Sequence, residues 1–362
     1  MNFPKAASRA LKHPPIAARQ LRRGIATAAD ISRARNYCEE QLRKGDYEAF
    51  LIRSFLAPST RDAYDAFRAL NLELARLPET VSNPTIGRLR IQFWRDAVNQ
   101  TFAGNPPREP ISLLLSTVVS KLGTSGAAPL KFWLLRLINI RDARMENNPF
   151  PTLESLEDYA EKTYATLMYM TLAVMSLQSV HLDHLASHIG KACGIVAILR
   201  GIPILATPSR PVQGASGSNL GTTRAPSLLL PLDVMADVGL KEEDVFRQGP
   251  SAEGFQDAVF KVATRANDHL LTARDMLKKL KRGEGPGHDY EHEGEAGQVY
   301  PQSADADITA ASIQKASGVL LEGVPAAEYL KRLESADFDP FRVKSSWNLP
   351  WRLWQASKRV QI

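Results

Sequence analysis

Only two cysteines, Cys38 and Cys193, occur among 362 residues, so no disulfide framework holds this chain and a reducing compartment is implied. No uninterrupted run of eighteen apolar residues is present, which speaks against a membrane-spanning helix. Alternating apolar–polar strand patterns are nearly missing. So are a glycine-rich phosphate loop, a Gly-x-Ser-x-Gly elbow and a Cys-x-x-Cys pair, which removes common nucleotide, hydrolase and redox readings. Residues 1–29 contain no acid at all.

That last absence locates the charge. The net charge is +6, and Lys5, Arg9, Lys12, Arg19, Arg22 and Arg23 account for all of it. The body beyond residue 29 is balanced, so its electrostatics give no reason to expect nucleic acid as a partner. An Arg- and Ala-rich, acid-free leader has the composition of a mitochondrial transit peptide, with Arg22-Arg23-Gly24-Ile25 as a cleavage neighbourhood. With 44% hydrophobic and 23% charged residues, the remainder has the apolar content for one large core.

From residue 30 the apolar positions recur at helical spacing. Ala63, Phe67, Leu70, Leu74 and Leu77 share one face of a helix predicted over 59–77, with Ser59-Thr60-Arg61-Asp62 as a capping box. Further helices are predicted over 83–103, 113–122, 130–142, 153–177, 182–205, 252–281, 306–320, 325–334 and 349–360, so the chain is read as an all-α, single-domain helical bundle over 30–345. A Pro/Gly/Ser/Thr loop (206–227) and a Gly- and acid-rich low-complexity insertion (282–305, with His288 and His292) interrupt it. The tail 346–362 gathers Trp347, Trp351 and Trp354 beside Arg352, Lys358 and Arg359. This mixture suits a membrane interface or a partner groove, or a terminal helix docked on the protein's own core.

Several constellations resemble metal sites and carry simpler readings. Asp233 and Asp237 lie four apart but read as helix-surface carboxylates, and Asp62 and Asp65 suit a helix start. His181, His184 and His188 share a helix edge, yet Leu185 stands where a zinc-protease glutamate would follow, so they read as polar contacts beside the core.

The order and spacing of longer phrases carry more. Leu51–Leu56 with Ala66–Ala75, Ile86–Arg95, Leu156–Tyr159, His188–Arg200 and Leu229–Leu232 followed by Gly239-Leu240 together resemble the squalene/phytoene synthase family across roughly residues 35–335. The resemblance implies an isoprenoid-synthase-like bundle. In active members, two aspartate motifs with four-residue spacing hold magnesium ions that bridge to substrate diphosphates. This chain departs at both. The first motif offers Asn71, Leu72, Ala75 and Arg76, and its one acid, Glu73, lies about 200° around the helix from Asn71. The second is a stripe of Gly190, Gly194, Ala197 and Gly201, with Gly201 where an acid is expected after Arg200; such a stripe suits the close approach of another backbone. Asn71, Glu73, Ala75, Gly194, Ala197, Arg200 and Gly201 are therefore expected as vestigial pocket positions, with no catalytic residue, metal or cofactor.

Arg68–Ala75, Arg90–Trp94 and Ser187–Ala192 look like one branch of this family, the complex I assembly factor type, which pairs degraded aspartate motifs with a mitochondrial leader. That likeness implies a matrix protein peripheral to the inner membrane, acting with complex I assembly intermediates or other assembly factors on an early membrane-arm intermediate. Two other readings stay open: an active head-to-head prenyl transferase using acids such as Glu73 or Asp237, and an isoprenoid or lipid carrier.

Overall fold

The computed structural model describes residues 26–81, 83–177, 179–207, 225–285 and 310–362. The leader up to residue 25, most of the 206–227 loop, and the insertion with His288 and His292 lie outside the described residues.

The chain folds into α1 (Ala28–Gly45), α2 (Tyr47–Ile52), α3 (Pro58–Thr80), α4 (Pro84–Phe102), α5 (Pro110–Ala143), α6 (Leu153–Ala160), α7 (Thr166–Val174), α8 (Val180–Leu205), α9 (Leu232–Asp237), α10 (Glu242–Gln248), α11 (Phe255–Lys281), α12 (Ala310–Leu320), α13 (Gly323–Ser335) and α14 (Leu349–Arg359). Among the described residues there is no strand, only a single bridge between Phe150 and Pro231. The expectation of an all-α bundle holds.

Local chemistry sets the helix ends. Thr27 and Asp30 form a reciprocal capping box at α1, and Asn83 caps α4, whose first residue is Pro84. The capping box expected at Ser59 does not form. Instead α3 starts one residue earlier, behind Ala57, with Pro58 in its first turn and no side-chain cap. Asp62, free of that role, receives two hydrogen bonds from Arg35 at 2.6 and 2.8 Å, and Asp65 is held by Arg53 at 2.8–3.1 Å. The two helices expected over 113–122 and 130–142 are both present within α5, divided at Gly123, whose φ of 68° and ψ of −179° lie outside the helical region and are values only glycine adopts cheaply.

Two apolar clusters share the interior. The first gathers α1, α3, α4, α5, α7, α12 and the C-terminal part of α11; the second gathers α6, α9, the N-terminal part of α11 and most of α13. α8 belongs to both, with Leu182, Leu185 and Ile189 in the first and Ile195, Leu199 and Ile202 in the second. A helix apolar on every side must be enclosed by its neighbours. By length and composition α8 is also sufficient to cross a bilayer, although its sequence lacks an unbroken apolar run; most of its apolar side chains are buried against α11, α6, α13 and α7. Residues 346–362 carry α14, whose Leu349 and Leu353 are buried in the first cluster.

Between α6 and α7 the helix widens into one π turn, Glu161–Ala165. This turn lies against α8. A Cβ placed on Gly190 would stand 2.3 Å from Cα of Ala165, and one on Gly194 would stand 2.4 Å from Cβ of Ala160. The glycines thus let two helices meet almost backbone to backbone.

Candidate functional site

α3 packs on α1, α5 and α7, whereas α8 packs on α11, α6 and the π turn. Where α3 and α8 face each other, two cavities of about 180 and 230 Å³ remain, both lined by Ala75, Tyr164 and Ala197. The larger also meets Asn71 and Arg200, and the smaller meets Gly201. The structure therefore brings Asn71, Ala75, Ala197, Arg200 and Gly201 to one place.

Two of the expected positions are elsewhere. Gly194 is spent on the contact with Ala160. Glu73 points to the other side of α3, toward Tyr37 on α1 and Glu109 at the start of α5, and raises the Tyr37 phenol after burial has already done so. Asp233 and Asp237 do not face a common point: Asp233 accepts from the backbone of Leu153 and Asp237 pairs with Lys261.

Hard divalent cations need carboxylate oxygens, and this donor set lacks them. The four positions facing the gap from α3 and α8 supply one amide, two methyls and one hydrogen. Among the described residues no group of three or more His, Cys, Asp or Glu side chains could hold a metal ion. The residues do not fit the magnesium ions that the family implies.

Arginines fill the gap instead. Arg141 at the end of α5 donates to Oδ1 of Asn71 at 2.6 Å and to the hydroxyl of Tyr159. Arg200 donates to Glu48 at 2.6 Å and to the carbonyl of Pro325 at 3.0 Å. Arg68 is buried against Glu322, with Asp46 3.7 Å away, and the Tyr64 hydroxyl donates to the same carboxylate at 2.6 Å. Burial pushes the Glu322 carboxyl up, against the pull of Arg68 and Tyr64. Asp46, Glu48 and Glu322 are committed to arginines around this gap.

A second polar chain crosses the bundle nearby. His188 and His269 meet at 3.0 Å through Nδ1, Nε2 of His269 meets Glu157 at 2.5 Å, and Arg265 donates to the same carboxylate at 2.6 Å. Of the three histidines noted in sequence, His184 and His188 bring their rings to 5.1 Å at a tilt of 32°. Burial disfavours the Glu157 carboxylate, but His269 and Arg265 more than offset this and hold it at about 2. A carboxyl held below its unfolded value adds stability above that value, and the gain is lost as pH falls from about 4.5 toward 2. Urea unfolding between pH 6 and pH 2.5 is expected to show wild type losing on the order of 2 kcal/mol more than Glu157→Gln. Parallel pH curves for the two proteins would refute this role.

Arg141, Arg144, Glu322 and the His269–Glu157 pair carried no distinguishing mark in sequence. Cations at a helix C-terminus are ordinary, and the other pairings span more than a hundred residues.

The squalene/phytoene synthase family's sequence model matches residues 42–355. A curated protein of Rattus norvegicus, named NADH dehydrogenase (ubiquinone) complex I, assembly factor 6, is 32% identical over 323 residues, covering 89% of this chain and 80% of its own. The Bos taurus protein of the same name is 30% identical, covering 93% of this chain and 84% of its own. A Drosophila melanogaster homolog is 32% identical over 250 residues, covering 67% and 68%. Among solved structures, a dehydrosqualene synthase in complex with a ligand superposes with a TM-score of 0.62 at 15% identity, covering 92% of this chain and 96% of its own, which shows the shared fold. By its sequence match over most of its length and by its bundle, this chain belongs to the squalene/phytoene synthase family.

Proposed function

We propose that this chain is a non-catalytic complex I assembly factor, built on a prenyl-synthase bundle whose metal chemistry has been lost. The observation that carries the reading is the donor set between α3 and α8: Asn71, Ala75, Ala197 and Gly201 present no carboxylate to a gap where the family's chemistry requires at least four. Cavity size points the same way. Spaces of about 180 and 230 Å³ fall below the roughly 300–1,000 Å³ that drug-sized ligands occupy, and a head-to-head transferase must seat two long chains at once. The names of the mammalian and insect relatives supply the biological process.

In this reading residues 1–29 are a transit peptide, 30–345 the synthase-like domain, and the protein works in the mitochondrial matrix on an early membrane-arm intermediate. α14 is its contact with the inner membrane or an assembly partner. Leu349, Leu353 and Ala356 face the core, and the opposite side carries Trp351 and Trp354, 57% and 46% exposed, with their rings stacked at 4.8 Å. Lys358 lies over Trp354, and Trp347 is 91% exposed just before the helix. Aromatic faces flanked by cations suit a lipid headgroup layer or a partner groove.

Complementation tests the proposal. A line lacking the gene should show less assembled complex I on native gels, restored by wild type and by a Trp347/Trp351/Trp354→Ala protein to a smaller extent, with less of that protein in the membrane fraction. Normal complex I in the deletion line, or a condensed C30 or C40 product from purified protein with farnesyl or geranylgeranyl diphosphate and magnesium, would overturn it.

A further inference from the structure

Two helix ends meet beside the exposed tryptophans. Lys281, at the end of α11, donates to the carbonyls of Arg359 and Val360 at the end of α14. Arg274, earlier on the same face, donates to the main-chain oxygen of Ile362 at 3.0 Å. On that face of α11, Leu271, Arg274, Lys278, Lys281 and Arg282 fall within about 100° of arc. Leu271 is 52% exposed, and Lys278, Lys281 and Arg282 stand in solvent. Lys358 and Arg359 extend this basic strip along α14, where Lys358 lies over the Trp354 ring.

Little opposes the charge. Lys281 spends its ammonium on carbonyls, and burial lowers it with no carboxylate to resist the shift. Asp275, at the edge of the α11 face, is paired with Lys279 at 2.8 Å, and Glu284 lies past the helix end. Lys278, Arg282, Lys358 and Arg359 make no ion pair among the described residues. Acids gather at the other end instead: α11 spans 27 residues, about 40 Å, and its first turn carries Asp257. The first turn of α10, just before it in the chain, holds Glu242, Glu243 and Asp244. The bundle is therefore polarised along α11.

A layer of anionic headgroups attracts clustered lysine and arginine, and tryptophan settles at headgroup depth with its ring against the apolar boundary. Cations dispersed over two helix ends on solvated stems match a continuous charged layer, whereas a protein groove holds its anchors in buried pockets. We propose that the ends of α11 and α14 form one docking surface for an anionic phospholipid layer, with the tryptophans at headgroup depth and the basic strip over the phosphates. The proposal rests on the reading of α14 as a contact surface, commits that surface to lipid and adds α11 to it.

Flotation of the purified full chain with vesicles tests it, using phosphatidylcholine alone and phosphatidylcholine mixed with phosphatidylglycerol. Binding to the mixed vesicles is expected to be about tenfold tighter or more, and to weaken as salt rises. Lys278→Gln combined with Arg282→Gln should reduce it about tenfold with the circular dichroism unchanged, while Arg247→Gln on α10 should bind like wild type. Lipids brominated just below the headgroup should quench Trp347, Trp351 and Trp354 and spare the buried Trp94 and Trp133. No binding to the mixed vesicles, equal binding to both compositions, or binding unaffected by the double variant would overturn the lipid surface and leave a protein groove as the occupant of α14. The assembly reading fails separately: vesicle binding by the purified protein alongside normal complex I in the deletion line keeps the surface and loses that reading.

Discussion

Glu322→Ala is expected to destabilise the fold by about 3–5 kcal/mol, read as a lower urea midpoint by far-UV circular dichroism. The cause is what the substitution leaves behind. Arg68 is almost wholly buried in α3, and Glu322 brings its counter-charge from between α12 and α13. Asp46, at 3.7 Å, would remain as a looser ion pair with no direct hydrogen bond, and the Tyr64 hydroxyl loses its acceptor at the same time. A buried guanidinium stripped of its hydrogen-bonded carboxylate costs far more than the net worth of the intact pair, because the pair's attraction had been offset by the desolvation of both groups. The double variant Arg68→Met with Glu322→Leu should accordingly recover most of the loss and lie within about 1–2 kcal/mol of wild type. A single variant as stable as wild type, or a double variant no better than the single, would show that this pair does not hold α3 to the end of the bundle.

Gly190→Ala is expected to cost about 2 kcal/mol or more, whereas Gly201→Ala on the same helix should gain about 0.5–1 kcal/mol. Both replacements improve helix propensity by the same amount, so the difference isolates packing. At Gly190 the new methyl would meet Cα and N of Ala165 at 2.3 and 2.4 Å, atoms that move only if the π turn moves as a whole. At Gly201 it meets only the flexible end of Leu205, at 3.4 Å, beside a cavity. Thermal unfolding of the two proteins checks the opposed signs. Two equal shifts would mean that α8 and the π turn are looser than their close approach implies.

The same stripe shows how much of this protein is legible without coordinates. Gly190, Gly194, Ala197 and Gly201 recur at helical spacing, and their small size alone announces close approach, yet the stripe divides: Gly190 and Gly194 press on the π turn, while Ala197 and Gly201 open onto empty space. Periodicity reports which residues share a face and says nothing of what stands opposite. The expected capping box at Ser59 failed for a related reason. Short motifs are satisfied locally only when no long-range partner competes, and Arg35 claims Asp62 from α1.

By itself the sequence determined the all-α class and most of the long helices, because each depends on residue type and spacing within one segment, while the departure from both aspartate motifs was legible only through the family resemblance. It determined that Glu73 could not stand in for the missing pair, since a helix turns 100° per residue. Only the tertiary structure decided that arginines line the gap between α3 and α8, that Arg68 is neutralised from 254 residues away, and that Arg141 and Arg144 hydrogen-bond to neutral oxygens. Charge balance in a protein interior is set by which side chains meet in space, and that pairing is a property of the packed bundle, not of any one helix.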